Sequence, residues 1–218
     1  MRGRTQRTSN DIERLTRIYD SRASRWDKRE ARAENLAVGR FRDRLVRELQ
    51  GDVLDIGIGT GETLRRLQAS DVPVTSYTGV DLSTGMLAQA SRYSAGSRFP
   101  VRLQQANAES LSMFGDHSFD TVTASLVLCT VPDSEAALRE MARVVKPSGK
   151  IVLIEHVLTT NPLLKGAMKL AAPLQVRAMG CHIDRKTDQI IRNLGFSIEQ
   201  DHARFARIFH LIVTRPPQ

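Results

Sequence analysis

Apolar residues change their spacing near residue 50. Before it they recur at helical intervals, and after it they come as short runs separated by amphipathic stretches. Leu36, Phe41, Leu45 and Leu49 fall on one helical spacing and predict a helix over residues 31–49. A shorter helix is expected over 11–19, with Ser9 or Asn10 as its N-cap, after a loose terminus of about ten residues. Strands are expected at 52–56, 75–80, 100–105, 119–124, 150–156, 196–202 and 207–214. Helices are expected at 61–69, 84–94, 134–145 and 184–194. This alternation predicts an α/β fold with a doubly wound, mostly parallel sheet. The run Ile151-Val152-Leu153-Ile154 suits a strand buried on both faces. The last two strands are joined too closely for a crossover, so they should form an antiparallel hairpin.

Residues 157–182 interrupt the rhythm. Pro162, Gly166, Pro173 and Gly180 punctuate a basic, apolar stretch that includes Leu163, Leu164, Leu170, Leu174 and Met179. It falls between two strands and reads as a lid over the carboxyl edge of the sheet, where such folds bind ligands; a helix packed into the core is the alternative.

Chemistry concentrates where the first strand ends. Val53-Leu54-Asp55-Ile56 runs into Gly57, Gly59 and Gly61, a G-x-G-x-G turn. Glycine admits positive φ and lets a ligand reach the backbone. A dinucleotide fingerprint needs its third glycine one place later, where this chain has Glu62. A carboxylate there argues against a pyrophosphate and suits a ligand carrying positive charge. About twenty residues on, Asp81 ends the next strand, placed to accept hydrogen bonds from a ribose diol.

With these residues in view, the chain resembles the class I S-adenosylmethionine-dependent methyltransferases from about Val53 to Glu155. The resemblance is carried by Leu54-Asp55-Ile56-Gly57-Ile58-Gly59-Thr60-Gly61, Val80-Asp81-Leu82-Ser83, Asn107-Ala108-Glu109-Ser110-Leu111, Ser118-Phe119-Asp120-Thr121-Val122 and Arg143-Val144-Val145-Lys146-Pro147-Ser148-Gly149-Lys150. It is nearest the type 11 branch of ubiquinone/menaquinone, phospholipid and small-molecule thiol methyltransferases. The resemblance implies a Rossmann-like, seven-stranded sheet with an antiparallel terminal strand. It also implies an N-terminal helical cap over residues 1–50 and a methyltransferase domain over 51–218 containing the 157–182 lid.

The same resemblance implies S-adenosyl-L-methionine as cofactor and distributes roles. Asp55 would meet the ammonium of its amino-acid tail, with Gly57, Gly59 and Gly61 letting the tail lie against the main chain. Asp81 would take the ribose hydroxyls and Leu82 would pack on the adenine. Asn107 would accept from the adenine amine, and the main chain of Ala108 would meet a ring nitrogen. Leu126 would turn its carbonyl to the tail ammonium. Ile18-Tyr19-Asp20-Ser21-Arg22-Ala23-Ser24-Arg25-Trp26-Asp27 is similar to the branch's tyrosine-aspartate motif, so Tyr19 would bond the tail carboxylate and Trp26 would wall the pocket.

Methyl transfer is an in-line displacement that asks the protein for alignment and dryness. Oxygen, carbon and protonated nitrogen acceptors also need a proton removed, whereas a thiol is partly ionised near neutrality. His156, ending the fifth strand, is the candidate base, since imidazole titrates in the useful range. Gly180-Cys181-His182-Ile183-Asp184-Arg185 is similar to a stretch of the thiol and phospholipid branch, which makes His182 a second catalytic candidate. Cys181 and His182 are adjacent ligand types with no third at fixed spacing, so no metal is expected.

Composition narrows the partners. Two cysteines exclude a disulfide framework and suit a reducing, cytoplasmic setting. The polar first 30 residues do not read as a signal peptide, and no apolar run reaches membrane-spanning length. The net charge of +8 is concentrated in residues 1–50, with 14 Lys and Arg against 8 Asp and Glu. The signs alternate there and no aromatics interleave for base stacking, so a solvated face is expected rather than nucleic-acid binding. The expected activity is methyl transfer to a small, hydrophobic thiol or hydroxyl compound. The alternatives are a quinone-ring C-methyltransferase, a phospholipid N-methyltransferase and a non-catalytic cofactor-binding subunit. Peripheral membrane contact and the choice between monomer and homodimer stay open.

Overall fold

Seven strands form one sheet in the order β3-β2-β1-β4-β5-β7-β6. The computed structural model describes residues 2–29 and 31–217, with side chains described over 10–26 and 36–217. The strands are β1 (Gly51–Ile56), β2 (Val74–Asp81), β3 (Val101–Gln105), β4 (Phe119–Ser125), β5 (Val145–His156), β6 (Ser197–Arg204) and β7 (Phe209–Arg215). β1 pairs in parallel with β2 and β4, as β2 does with β3 and β4 with β5. β7 runs antiparallel to both β5 and β6, as the short final link requires. Strand order reverses between β1 and β4, so their carboxyl ends splay apart and leave a crevice.

The helices are α1 (Arg2–Arg29), α2 (Ala31–Glu48), α3 (Glu62–Gln68), α4 (Thr84–Ala90), α5 (Ser134–Val144), α6 (Pro162–Met179) and α7 (Thr187–Asn193). Alternation along β5 feeds two cores. Ile151 and Leu153 pack with Leu138 and Met141 of α5 and Ile191 of α7, while Val152 and Ile154 pack with Phe41 and Leu45 of α2 and Leu64 and Leu67 of α3. Both faces of β5 are therefore dry, which is why Ile151–Ile154 reads as a continuous apolar run.

Several expectations change. Residues 2–10 are helical: α1 runs unbroken through the expected loose terminus and past both proposed caps. The stretch holds no proline and a single early glycine, and its arginines and Gln6 are good helix formers. The side chains of Ser9 and Asp27 lie outside the described residues. Leu36 is 78% exposed, because α2 buries the stripe Val38, Phe41, Leu45 and Leu49 and Leu36 falls on the opposite side. β5 begins at Val145, five residues early, since that end of the chain pairs with Phe119 across a bulge. Helix 84–94 is shorter, ending at Ala90 in a 3-10 turn, Ser91–Tyr93. The stretch 157–182 contains one helix, α6, which buries only Met168 and Ala172 and so is no core helix.

α1 crosses the carboxyl edge of the sheet. Asp20 pins it there by accepting hydrogen bonds from the Ser83 hydroxyl at 2.5 Å and the Gly85 N–H at 2.9 Å. Further back, Arg14 donates to the carbonyls of Val176 and Arg177 and ties α1 to the last turn of α6.

Candidate active site

The crevice beyond β1 and β4 opens into a cavity of about 450 Å³, within the range of small-molecule sites, roughly 300–1,000 Å³. One wall is the glycine turn. Gly57 stands at φ 65°, and a Cβ there would come 2.4 Å from Cγ2 of Val127. Gly59 stands at φ 57°, and a Cβ there would meet nothing nearer than the Gly57 carbonyl at 4.0 Å, so it would project into the cavity. These two positions leave bare backbone facing a ligand. Gly61 does not line the cavity; it is the N-cap of α3, set against Ala90 and Tyr93.

Asp81 fastens this turn to β2. One carboxylate oxygen accepts the Gly59 N–H and the other the Ser83 N–H, each at 2.9 Å. Burial raises the Asp81 pKa against the pull of these backbone N–H groups, and the residue lines the cavity. Asp55 also lines the cavity and accepts a short hydrogen bond from the Tyr77 hydroxyl. Burial pushes its carboxyl up to about 7, against the pull of Tyr77 and of the Arg42 guanidinium.

Leu82, Asn107 and Ala108 form one end of the lining. The Asn107 side-chain oxygen already accepts the Glu109 N–H at 3.0 Å, which fixes its orientation. Leu126 lines the cavity at φ 59°, and its carbonyl accepts the Cys129 thiol at 3.4 Å. The turn it begins is organised by Glu155, fully buried, whose carboxylate accepts the N–H groups of Val127, Leu128 and Cys129 at 3.0, 2.8 and 3.2 Å. Burial outweighs these donors and pushes Glu155 up to about 8. Tyr19 and Trp26 close the cavity from α1, their rings 5.8 Å apart, with the Tyr19 hydroxyl donating to the Met179 carbonyl at 3.2 Å.

His156 lies on the cavity wall with its ring against Phe209, centroids 4.5 Å apart, and its buried Nδ1 has no hydrogen-bond partner among the described residues. Cys181 sits beside it on the same wall. The Cys129 thiol and the His156 ring hold Cys181 well below the usual thiol range, while Cys129 is pushed up. His182 is not among the cavity-lining residues. Its main-chain N–H donates to the Cys129 carbonyl at 2.7 Å, and the neighbouring Cys181 lines the cavity. Nothing local in the sequence points to Phe209 or pairs Cys129 with Cys181, whereas a glutamate inside an apolar strand is a visible signal for Glu155. Among the described residues no three His, Cys, Asp or Glu side chains converge on a point that could hold a metal ion.

Comparison with known proteins agrees with this architecture. A family model described as a methyltransferase domain matches residues 54–153. A phosphatidylethanolamine N-methyltransferase of Cereibacter sphaeroides is 34% identical over 64% of this chain and 67% of its own length. A ubiquinone/menaquinone biosynthesis C-methyltransferase of Hahella chejuensis is 31% identical over 70% of this chain and 64% of its own. The chain thus spans about two thirds of the length of these curated relatives. A chain in the complex between the Haloferax volcanii Trm112 methyltransferase activator and a methyltransferase superposes with a TM-score of 0.71, covering 92% of this chain and 98% of that one. At 18% identity that likeness concerns the fold alone. Sheet order, glycine turn and sequence kinship converge: the chain belongs to the class I S-adenosylmethionine-dependent methyltransferases.

Proposed function

We propose that this protein moves the methyl group of S-adenosylmethionine to a hydrophobic small molecule through a hydroxyl or thiol held against His156. The residues present fit the donor. The cradle that a Cβ at Gly59 would fill leaves room for it, and Asp81 offers paired acceptors beside that cradle. Bound there, S-adenosylmethionine supplies an electrophilic methyl group on a positively charged sulfur.

The chain's own residues do the rest. Asp81 accepts from the ribose hydroxyls, and Leu82, Asn107 and Ala108 surround the adenine. Asp55 and the Leu126 carbonyl would face the tail ammonium, and the Tyr19 hydroxyl, once turned from the Met179 carbonyl, would donate to the tail carboxylate. Gly57 and Gly59 let the tail approach the main chain, and Gly61 starts α3 behind them. Tyr19 and Trp26 from α1 and Met179 from α6 shut out water, so that alignment alone contributes an effective molarity on the order of 10⁵ M or more.

One observation supports the acceptor class above others. His156 and Cys181 stand side by side in a lining that holds Phe209, Val131 and Leu15 as well as polar Thr130 and Gln175. A proton acceptor next to apolar walls suits a hydrophobic hydroxyl or thiol compound. Kinship with quinone C- and phospholipid N-methyltransferases favours a second reading, in which the acceptor atom is a quinol ring carbon or a headgroup amine. Incubation of purified protein with methyl-labelled cofactor and a panel of apolar phenols, thiols, quinols and phosphatidylethanolamine vesicles separates the two. Label is expected on the phenols or thiols. Label confined to quinol ring carbons or to the lipid amine would replace the first reading by the second.

The role of Asp55 carries its own pH signature. Its carboxyl titrates at about 7 in the free protein, and only its ionised form attracts an ammonium. Cofactor affinity should therefore weaken as the pH is lowered below 7, approaching about tenfold per pH unit. Calorimetry between pH 5.5 and 7.5 measures this, and Asp55→Asn should weaken binding at the upper end and flatten the slope.

A further inference from the structure

The surface helix α6 is built inside out. Amphipathic helices bury their apolar stripe and show charge to water. Here Leu163, Leu170 and Leu174 are 85%, 86% and 72% exposed. With Ala167 they stand at i, i+4, i+7 and i+11, which places them on one outward stripe. The charged residues of α6 are Lys165, Lys169 and Arg177, all basic, with no carboxylate on the helix. Beside its first turn lies the β6–β7 turn, tied to it by the Thr159 hydroxyl on the Ala206 carbonyl. That turn holds half-exposed Phe205 between Arg204 and Arg207, with Phe205, Ala206 and Arg207 all at positive φ. Asp201 pairs with Arg207 at 3.3 Å and tempers the charge there.

This patch connects with the cavity. Phe205 stands edge-on to Phe209 at 6.2 Å, and Phe209 lies against His156 at 4.5 Å. The other side of α6 contributes Gln175 and Met179 to the cavity wall. An apolar path of aromatic rings thus leads from the exposed patch to the candidate base.

We infer that α6 and the β6–β7 turn dock on an anionic phospholipid bilayer, and that the acceptor is an amphiphile drawn from that bilayer into the cavity. Leucines set in the acyl boundary, with lysine and arginine stems reaching up to the phosphates, match the chemistry of an interfacial helix. A second copy of the chain is a poor occupant, since a two-fold contact through α6 would offer no carboxylate to its three basic residues, whereas a bilayer offers phosphates. The docking stands on the surface alone; the acceptor's source also rests on the hydrophobic-acceptor reading above.

Co-sedimentation of the full chain with phosphatidylglycerol–phosphatidylcholine vesicles, and with phosphatidylcholine vesicles alone, tests it. Binding is expected to the anionic vesicles and to be at least about tenfold weaker to the neutral ones. The triple variant Leu163→Ser, Leu170→Ser, Leu174→Ser should lose binding, and Lys165→Glu with Lys169→Glu should weaken it at least about tenfold. Cofactor affinity measured in the same preparations should stay unchanged and so reports that the variants fold. Failure of the natural chain to bind anionic vesicles overturns the docking, as does binding that survives the leucine variant. Lipid-free self-association abolished by the leucine variant would assign the face to a second copy and overturn it too. Vesicle binding without transfer to any apolar acceptor would sink the acceptor reading and leave docking standing, whereas transfer to a soluble phenol without vesicle binding would do the reverse.

Discussion

Asp81→Ala should weaken S-adenosylmethionine binding by about a hundredfold or more. The carboxylate is expected to act twice. It is the one acidic group at the tip of β2, and its oxygens hold the Gly59 and Ser83 N–H groups in the positions that shape the cradle. Hydrogen bonds to a charged partner contribute about 1.5–3 kcal/mol each, so losing two toward a ribose removes about 3–6 kcal/mol, or at least two powers of ten in affinity. Release of the turn adds to this. Asp81→Asn is the informative companion. It keeps the volume but replaces one acceptor oxygen with an N–H₂ group, which must then face either the Gly59 or the Ser83 N–H. It should bind nearly as poorly as the alanine variant while remaining folded. The measurement is calorimetric titration with S-adenosylmethionine, with thermal unfolding of each variant as the control for structure. An Asp81→Ala protein that binds the cofactor as tightly as the natural chain would remove the foundation of the site described here.

The sheet was readable because its signals are local. A strand buried on both faces must be an unbroken apolar run, and a chain turning sharply under a ligand must use glycine; both are visible within a few residues. The place of Asp81 was readable from its spacing, an acidic residue about twenty positions after the glycine turn at the end of the next strand. The limits of α1 were not readable, because its first nine residues, mostly arginine, serine and threonine, hold no apolar period. Nor was the outward stripe of α6: its leucines look like core residues until the burial of Met168 and Ala172 shows which side faces the sheet. In the site, the placing of Cys181 in the cavity lining beside Cys129 brings together residues 52 positions apart in the sequence, which happens only on folding. Glu155 shows the same limit. Its place in an apolar strand is plain from the sequence, but the three N–H groups that justify it come from the turn after β4.

The second large effect is expected at His156 and depends on the acceptor. On a phenol, His156→Ala should lower kcat by about a hundredfold or more, the usual contribution of a positioned general base, while leaving cofactor affinity unchanged. On a thiol the loss should be smaller, because a group with a pKa near about 8.5 reaches the active site partly ionised. The split between acceptors is what distinguishes a base from a piece of wall. His156 also packs on Phe209, and removing its ring leaves a gap that would misalign any acceptor. A purely steric fault would slow phenol and thiol alike. His156→Gln narrows the question by keeping most of the volume and a polar tip without a proton acceptor of comparable basicity. Cys181→Ser tests the neighbour, whose thiolate character comes from Cys129 and His156. If Cys181 were the true proton acceptor, its serine variant would show the phenol-selective loss and the His156 variants would not. If His156 is the base, the pattern is reversed. Equal losses on both acceptors in His156→Gln would reduce this residue to a positioning role, leaving catalysis to alignment of the acceptor with the cofactor's methyl group.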